Sequence, residues 1–291
     1  MDPMTDSRFT TTNMSKRARG IALVAGALLA VSATVTAATP ASAAAGDIKC
    51  PSTACVRIAA GLSSTPGVTS DGAGSVYLTY GNGELRKVSL ATGAASTVAT
   101  GLGNLRGVAV ADGNAYLATF GGTLEQVTLA TGSRRTLAAG LPSLFGVARG
   151  GTTTYLSDAN GEIVAVPDGG SPRVVATGLG FSYGIALDNA GFAYTADMGT
   201  GDIRQTSLTT GTTRTLFVAN YEPTSIAVGN DGLIYFLDGD GVGRVNPTTK
   251  AESHVANVVL NMFDFALAPS GAAYTVDGGG TLWQINGLTA H

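Results

Sequence analysis

The chain has 291 residues, of which 44% are hydrophobic and only 13% are charged, and it contains 41 glycines. Its formal net charge of −3 argues against nucleic-acid binding, which needs a clustered basic surface. So many glycines are typical of a fold with many tight turns and argue against a helical protein.

The first 43 residues are predicted to be a secretory signal peptide. Lys16, Arg17 and Arg19 precede the apolar run "IALVAGALLAVSATVTAA", and the small-residue stretch "TPASA" follows it. A basic start, an apolar middle and a small-residue exit are the parts of such a signal. A membrane anchor is the alternative, but the run is rich in Ala, Thr and Ser and ends in a cleavage signal. We expect cleavage after Ala43, a secreted, extracellular protein and no membrane association afterwards.

The N-terminal segment 44–53 leads to the only two cysteines, Cys50 and Cys55. Outside the cytosol a Cys50–Cys55 disulfide is the favoured interpretation. Its loop is short, so the bond is expected to fix the N-terminus more than to stabilise the domain. The chain has two histidines, His254 and His291, which lie too far apart in sequence to suggest a metal site.

A repeat of about 40 residues organises the rest of the chain. Six of the nine tyrosines are spaced 39, 39, 39, 41 and 39 residues apart. They are Tyr77, Tyr116, Tyr155, Tyr194, Tyr235 and Tyr274. Each unit holds four short alternating or apolar segments separated by turn signals such as "SDGAGS" and "LATGA", and no segment keeps a helical period. Four strands per unit predict the blades of a β-propeller.

The predicted fold is all-β, a six-bladed β-propeller over residues 54–290. The repeats cover approximately 58–98, 99–137, 138–175, 176–216, 217–255 and 256–290, with 54–59 completing the last one. The sixth repeat ends after its third strand at "TLWQINGLTA", and "ACVRIAA" near residue 55 resembles the fourth strands of the other units. This N-terminal strand is therefore expected to complete the last blade and close the ring.

The repeat carries further markers on both sides of each tyrosine. "RGVAVAD", "FGVARG" and "YGIALD" precede it, and "GELRKVSL", "GTLEQVTL" and "GDIRQTSL" follow it. This pattern resembles the NHL, SMP-30/gluconolactonase and streptogramin B lyase-like six-bladed propellers over nearly all of the chain after the signal peptide. The "Y-x-x-D" turns also look like those of the YWTD propellers. A WD40 propeller is not expected, because Trp283 is the only tryptophan.

The resemblance does not extend to the metal and catalytic residues of the known enzymes. Gluconolactonase-like enzymes hold a divalent cation with an acid, an asparagine and an aspartate, and the corresponding stretches here read "SSTPGVT", "FSYGIAL" and "EPTSIAV". Streptogramin lyases use a histidine and a glutamate beside magnesium, whereas His254 falls on an outermost strand. We expect no metal site and no cofactor, with calcium or magnesium left open.

Four aspartates recur at one position of the repeat, before a glycine-rich turn. They are Asp158, Asp197, Asp238 and Asp277. A catalytic acid is needed once or twice, not once per blade. Carboxylates at such positions readily accept hydrogen bonds from backbone N–H groups of the turn. We expect these aspartates to be part of the frame.

The loops that lead into the inner strands are expected to surround the propeller axis on one face, the mouth. Aromatic and apolar residues there suit a ligand with an apolar body. These candidate ligand-binding residues are Phe145, Phe181, Tyr183, Tyr221, Met262 and Phe263. Arg106 is expected on the opposite side of the mouth, where it could bind an anionic or polar end of the ligand. The alternative is that the aromatics plug the channel and Arg106 pairs with Asp264.

Two functions follow as hypotheses. The first is a secreted, monomeric binding protein that takes a small molecule or a peptide at the axial mouth. The second is an enzyme, namely a lyase, a cyclase or an SMP-30-like lactone hydrolase. For it the candidate catalytic residues are Glu222 and Asp264 as general acid and base and Arg106 as an oxyanion partner. No G-x-S-x-G elbow and no glycine-rich phosphate loop occurs in the sequence.

Overall fold

The computed structural model describes residues 48–49, 54–257 and 262–289. These residues form β-strands joined by turns and contain no helix. Within this part of the chain, nothing is helical, long and apolar enough to cross a membrane. Six antiparallel sheets follow one another along the chain. The predicted six-bladed propeller of four-stranded blades is confirmed.

Blades 1 to 4 each consist of four consecutive strands. Blade 1 contains β3 (Gly67–Ser70), β4 (Ser75–Thr79), β5 (Leu85–Ser89) and β6 (Ala95–Ala99). Blade 2 contains β7 (Leu105–Ala111), β8 (Asn114–Thr119), β9 (Leu124–Thr128) and β10 (Arg134–Ala138). Blade 3 contains β11 (Leu144–Gly150), β12 (Thr153–Asp158), β13 (Ile163–Pro167) and β14 (Arg173–Ala176). Blade 4 contains β15 (Ser182–Leu187), β16 (Phe192–Asp197), β17 (Asp202–Ser207) and β18 (Thr213–Val218).

The last two blades also use strands from the N-terminal side of the chain. Blade 5 contains β19 (Ser225–Val228), β20 (Ile234–Asp238), β21 (Gly241–Val245) and β22 (Glu252–Asn257), and β1 (Ile48–Lys49) pairs in parallel with β22. Blade 6 contains β23 (Phe265–Leu267), β24 (Ala273–Val276) and β25 (Leu282–Ile285). Its fourth strand is β2 (Cys55–Ala59), antiparallel to β25 with Cys55 opposite Ile285. The predicted closure by the N-terminal strand is confirmed, whereas the added strand β1 was not foreseen.

The hydrophobic core is divided among the contacts between neighbouring blades. In the described residues six clusters of buried side chains occur, and each joins the strands of two adjacent blades. The cluster of blades 6 and 1 includes Val276 and Val76, which closes the ring with the same packing as elsewhere. Because apolar burial is the main favourable contribution to folding, each blade is stabilised chiefly by its two neighbours.

The repeated tyrosines take part in this packing between blades. Each lies on the second strand of its blade, and Tyr235 and Tyr194 are only 0% and 2% exposed. In two blades the hydroxyl group donates to an aspartate of the same blade: Tyr194 Oη donates to Asp188 Oδ2 at 2.9 Å and Tyr235 Oη to Asp231 Oδ2 at 2.6 Å. A tyrosine can fill the space between blades and still pair its hydroxyl group near the rim.

Candidate functional site: the propeller mouth

Close approach of the inner strands decides which residues can lie at the axis. A Cβ atom on Gly67 would stand 2.2 Å from Arg106 O, and one on Gly107 would stand 2.5 Å from Phe145 O. No side chain fits such spaces, which explains the glycines at this position in blades 1 to 4. In blades 5 and 6 the equivalent residues are Ser225 and Asp264.

At this position, the side chain of Asp264 connects three blades by hydrogen bonds. Its Oδ1 accepts a hydrogen bond from Ser225 Oγ of blade 5 at 2.5 Å and one from the N–H of Phe265 at 3.0 Å. Its Oδ2 accepts from the N–H of Val68 in blade 1 at 2.7 Å. Burial raises the pKa of Asp264 to about 6, although the hydrogen bonds from Ser225, Val68 and Phe265 lower it in part. The carboxyl group thus titrates closer to neutrality than an ordinary aspartate.

Arg106 does not pair with Asp264. Its guanidinium group lies over the ring of Phe120, with Cζ 5.1 Å from the ring centroid, and it donates a long hydrogen bond of 3.5 Å to Tyr183 Oη. In the described part of the chain no ion pair involving Arg106 occurs, and its Nε is buried without a partner. The proposed Arg106–Asp264 pair is therefore wrong, because a cation–π contact holds the guanidinium group against the aromatic side chains.

The aromatic cluster, as we name it, lies at the mouth on blades 2 to 4. It comprises Phe120, Phe145, Phe181 and Tyr183. Phe145 is at its centre and is 5% exposed. Its ring centroid lies 4.8 Å from that of Phe181, 5.0 Å from that of Tyr183 and 6.0 Å from that of Phe120. On this side the aromatic residues pack on one another, as the plug alternative expected.

The other side of the mouth, on blades 4 to 6, is open. A cleft of about 960 Å³ lies between the loops that follow the second strands of these blades and the loop that enters blade 5. We call it the acidic cleft, for the carboxylates Glu222, Asp238 and Asp277 among its lining residues. Its other walls include the half-buried Met198 and Met262, Tyr221, Thr224 and several glycines.

The residues selected from the sequence are therefore divided between separate places. Tyr221, Glu222 and Met262 line the acidic cleft. Asp264 lines a smaller axial channel of about 360 Å³, together with Phe145 and Tyr183. Phe263 is 48% exposed and lines neither cavity. No hydrogen bond or ion pair joins any two of Glu222, Asp264 and Arg106 within the described residues.

The recurring aspartates bind their own turns, as expected of frame residues. Asp277 Oδ1 accepts from the N–H groups of Gly279 and Thr281, both at 2.9 Å, and its Oδ2 accepts from Trp283 Nε1 at 2.8 Å. Asp158 Oδ1 accepts two turn N–H groups at 3.0 Å. Burial raises the pKa of Asp158.

Asp197 has the most partners of the four. Its Oδ1 accepts from the N–H groups of Phe181 and Gly199, and its Oδ2 accepts from Thr200 Oγ1 at 2.7 Å and from Arg204 at 2.9 Å. Burial alone would raise the pKa of Asp197, but the hydrogen bonds from Thr200, Gly199 and Arg204 together hold it below its usual value. The turn it fixes forms one wall of the acidic cleft.

Neither cation binding nor the disulfide is decided by these contacts. Among the described residues no group of three His, Cys, Asp or Glu side chains is close enough to hold a metal ion. Cys55 is buried at the start of β2, whereas Cys50 lies outside the described residues. The Cys50–Cys55 bond stays a prediction, and so does the signal peptide at residues 1–43.

The comparison with known proteins rests on structure. No protein-family model matches the sequence, and no curated protein matches it at a significant level. Among solved structures, a gluconolactonase from Xanthomonas campestris superposes with a TM-score of 0.68 at 13% identity, covering 79% of this chain and 88% of that one. A streptogramin B lyase superposes with a TM-score of 0.62 at 14% identity, covering 80% and 97%.

The likeness is one of fold. Gluconolactonase and streptogramin B lyase structures, which the sequence pattern resembles, are among the similar structures. A chain of a nidogen–laminin complex also superposes, with a TM-score of 0.59 at 17% identity over 68% of this chain and 83% of that one. Enzymes and a protein complex share this architecture, so function has to be argued from the site.

Sequence reasoning missed part of the mouth. Phe120 belongs to the aromatic cluster, and Met198, Asp238 and Asp277 line the acidic cleft. All four belong to the stretches that end or follow the second strand of a blade, where loops reach the mouth. That position in the repeat is the signal in the sequence that could have identified them.

Proposed function

We propose that this protein binds a small molecule in the acidic cleft. The observation that carries the proposal is the contrast across the mouth: a cleft of about 960 Å³ stays open on blades 4 to 6, while on the other side four aromatic rings pack on one another. Small-molecule sites occupy about 300–1,000 Å³ and combine apolar walls with a few polar groups. The acidic cleft has a volume in this range, and its walls combine the apolar side chains of Met198, Tyr221 and Met262 with polar groups.

The side chains of the cleft support this role. Tyr221 is 52% exposed and stacks beside the turn at Gly239, where an added Cβ would stand 3.2 Å from the tyrosine side chain. A rigid, exposed ring is a good surface for an apolar ligand body. Met198 and Met262 are flexible and can adapt to its shape. We further propose that the protein acts outside the cell as a monomer.

A lyase, cyclase or lactone hydrolase is the second candidate function, favoured by one observation. The carboxyl group of Asp264, with its pKa raised to about 6, would titrate in the range useful to a general acid. Its three hydrogen bonds across blades support a structural role instead. An Asp264→Asn variant that keeps ligand binding but loses turnover of a lactone or cyclic peptide would favour the enzyme.

Two exposed aromatic residues provide the test of the binding proposal. Tyr221 lines the acidic cleft and Phe263 does not, although both are about half exposed. The melting temperature of the wild type, Tyr221→Ala and Phe263→Ala is measured against a panel of lactones, cyclic peptides and aromatic amines, alcohols and acids. A ligand that binds only the folded state raises this temperature by mass action.

We expect a compound class that stabilises the wild type and Phe263→Ala but not Tyr221→Ala. Equal stabilisation of both variants would place binding elsewhere and refute the proposal. A response confined to the cyclic peptides would favour a peptide as the natural ligand.

A further inference from the structure

The charges of the acidic cleft all have one sign. Glu222, Asp238 and Asp277 line it, and none of the described residues that line it is Lys, Arg or His. Glu222 is exposed, whereas Asp238 and Asp277 are 8% and 9% exposed. An anionic ligand would meet repulsion here, whereas a cationic one would meet attraction in a partly desolvated site.

Asp238 adds a second, independent observation. Its Oδ1 accepts from the N–H of Asp240 at 3.0 Å and contacts His254 Nε2 at 3.3 Å. Its Oδ2 is buried and has no hydrogen-bond partner among the described residues. The side chain of Asp238 is 0% exposed, so an unpaired acceptor there destabilises the folded protein. A buried polar atom left in this state calls for a partner.

The repeat shows why Asp238 lacks the partner that Asp197 and Asp277 have. In blades 4 and 6 the second carboxylate oxygen is bound by Arg204 and Trp283 from the third strand. The register places Gly243 at that position in blade 5. Its Cβ would stand 2.3 Å from the ring of Phe236, so no donor side chain fits.

A second unpaired polar atom belongs to the same wall. Thr224 lines the acidic cleft, and its Oγ1 is buried without a hydrogen-bond partner in the described structure. A hydroxyl oxygen can accept a hydrogen bond as well as donate one. An ammonium group has three N–H donors and no acceptor, which matches a carboxylate oxygen and a hydroxyl group together.

We propose that the ligand of the acidic cleft carries a positively charged amine that binds at Asp238 and Glu222 while its apolar part lies against Tyr221. The proposal rests on the proposed function, since it names the ligand class of the same cleft. The exposed ring of Tyr221 suits it further, because a tyrosine face attracts a cation within about 6 Å.

Three compounds with one ring and different charges test the proposal: benzylamine, benzyl alcohol and benzoate. Their affinities are measured by calorimetric titration at neutral pH for the wild type, Asp238→Asn, Glu222→Gln and Asp158→Asn. Asp158 is the matched control, because its Oδ2 is also buried and unpaired and it holds the same repeat position, but it does not line the cleft. Circular dichroism checks that each variant is folded.

We expect benzylamine to bind about tenfold or more tightly than the other two compounds. Asp238→Asn and Glu222→Gln should each weaken benzylamine several-fold and leave benzyl alcohol unchanged, and Asp158→Asn should change neither. If Asp238→Asn fails to fold, the exposed Glu222→Gln decides the question. Benzoate binding as tightly as benzylamine, or equal losses in Asp158→Asn and Asp238→Asn, would overturn the proposal.

The same titrations separate this inference from the proposed function. If benzyl alcohol or benzoate binds and Tyr221→Ala abolishes the binding, the cleft is a small-molecule site and only the positive charge of the ligand is wrong. If no compound binds the folded wild type, both the proposed function and this inference fail.

Discussion

The two sides of the propeller mouth are formed by equivalent loops of a repeat, and yet one is filled and the other open. On blades 2 to 4 the loops carry Phe120 and Phe181, whose rings pack around Phe145. On blades 4 to 6 the turns that follow the second strands, where Phe120 lies in blade 2, contain Gly199, Gly239, Gly278 and Gly279. The comparison shows that in this fold the size of a few loop side chains decides where a cavity lies.

The largest effect is expected from the filled side. Phe145→Ala removes the ring that contacts the three other members of the aromatic cluster, so it should lower the free energy of unfolding by about 3–5 kcal/mol. Urea denaturation measures the change, and Phe145→Leu, which keeps more of the volume, should lose less. A loss below about 1 kcal/mol would mean that the cluster is not a packed core.

A second variant tests the wall of the open side. Arg204→Met leaves Asp197, which is 1% exposed, without its cationic partner at 2.9 Å. We expect a loss of about 3 kcal/mol, because an uncompensated charge then stays buried. Arg204→Lys, which keeps the charge, should recover part of that loss. If Arg204→Met is as stable as the wild type in urea, the turn at 198–201 is held by its other hydrogen bonds alone.

Asp264, which lines the axial channel, predicts that the stability of the protein depends on pH. Its pKa is raised to about 6 in the folded protein, against about 3.9 in an unfolded chain. The folded state therefore binds the proton more tightly, and the stability this gives is full below about pH 4 and is lost as the pH rises through about 6.

The size of this change is about 2–3 kcal/mol. Denaturation curves of the wild type and of Asp264→Asn at several pH values measure it, because the Asn variant cannot titrate at this position. The stability of the wild type relative to the variant should fall between about pH 4 and pH 7. A constant difference would show that the carboxyl group titrates normally.

The smallest effect on stability is expected in the open cleft. Glu222 is exposed, so Glu222→Gln should change the free energy of unfolding by less than about 0.5 kcal/mol while it weakens binding of a cation. A large loss of stability in urea would show that Glu222 belongs to the frame of the propeller, and the difference between the two sides would then be smaller than we describe.

Much of the fold could be predicted because the repeat displays it directly. The spacing of the tyrosines reflects one ring packed on the second strand of each blade, and the missing fourth strand of blade 6 pointed to β2. These features depend on patterns along the chain, which a sequence shows. The parallel strand β1 is only two residues long, too short to leave such a pattern.

The mouth was harder to predict because it depends on the directions of side chains between blades. From the sequence, both Arg106 and Asp264 are expected near the propeller axis. In the structure, Arg106 packs on the ring of Phe120, whereas Asp264 accepts hydrogen bonds from Ser225 and Val68. Residues from blades far apart in sequence meet there. Their pairing depends on angles around the ring, which spacing alone does not give.

The closing strand has a consequence for how the ring is made. Among the described strands, β2 is the second to be synthesised, and its partner β25 is the last. Until β25 exists, β2 has no sheet to join, and blade 6 afterwards exposes an unpaired edge until β2 returns. Pairing of such distant segments is a slow step in folding. The β2–β25 pairing that closes the ring therefore joins a strand synthesised early to one synthesised late.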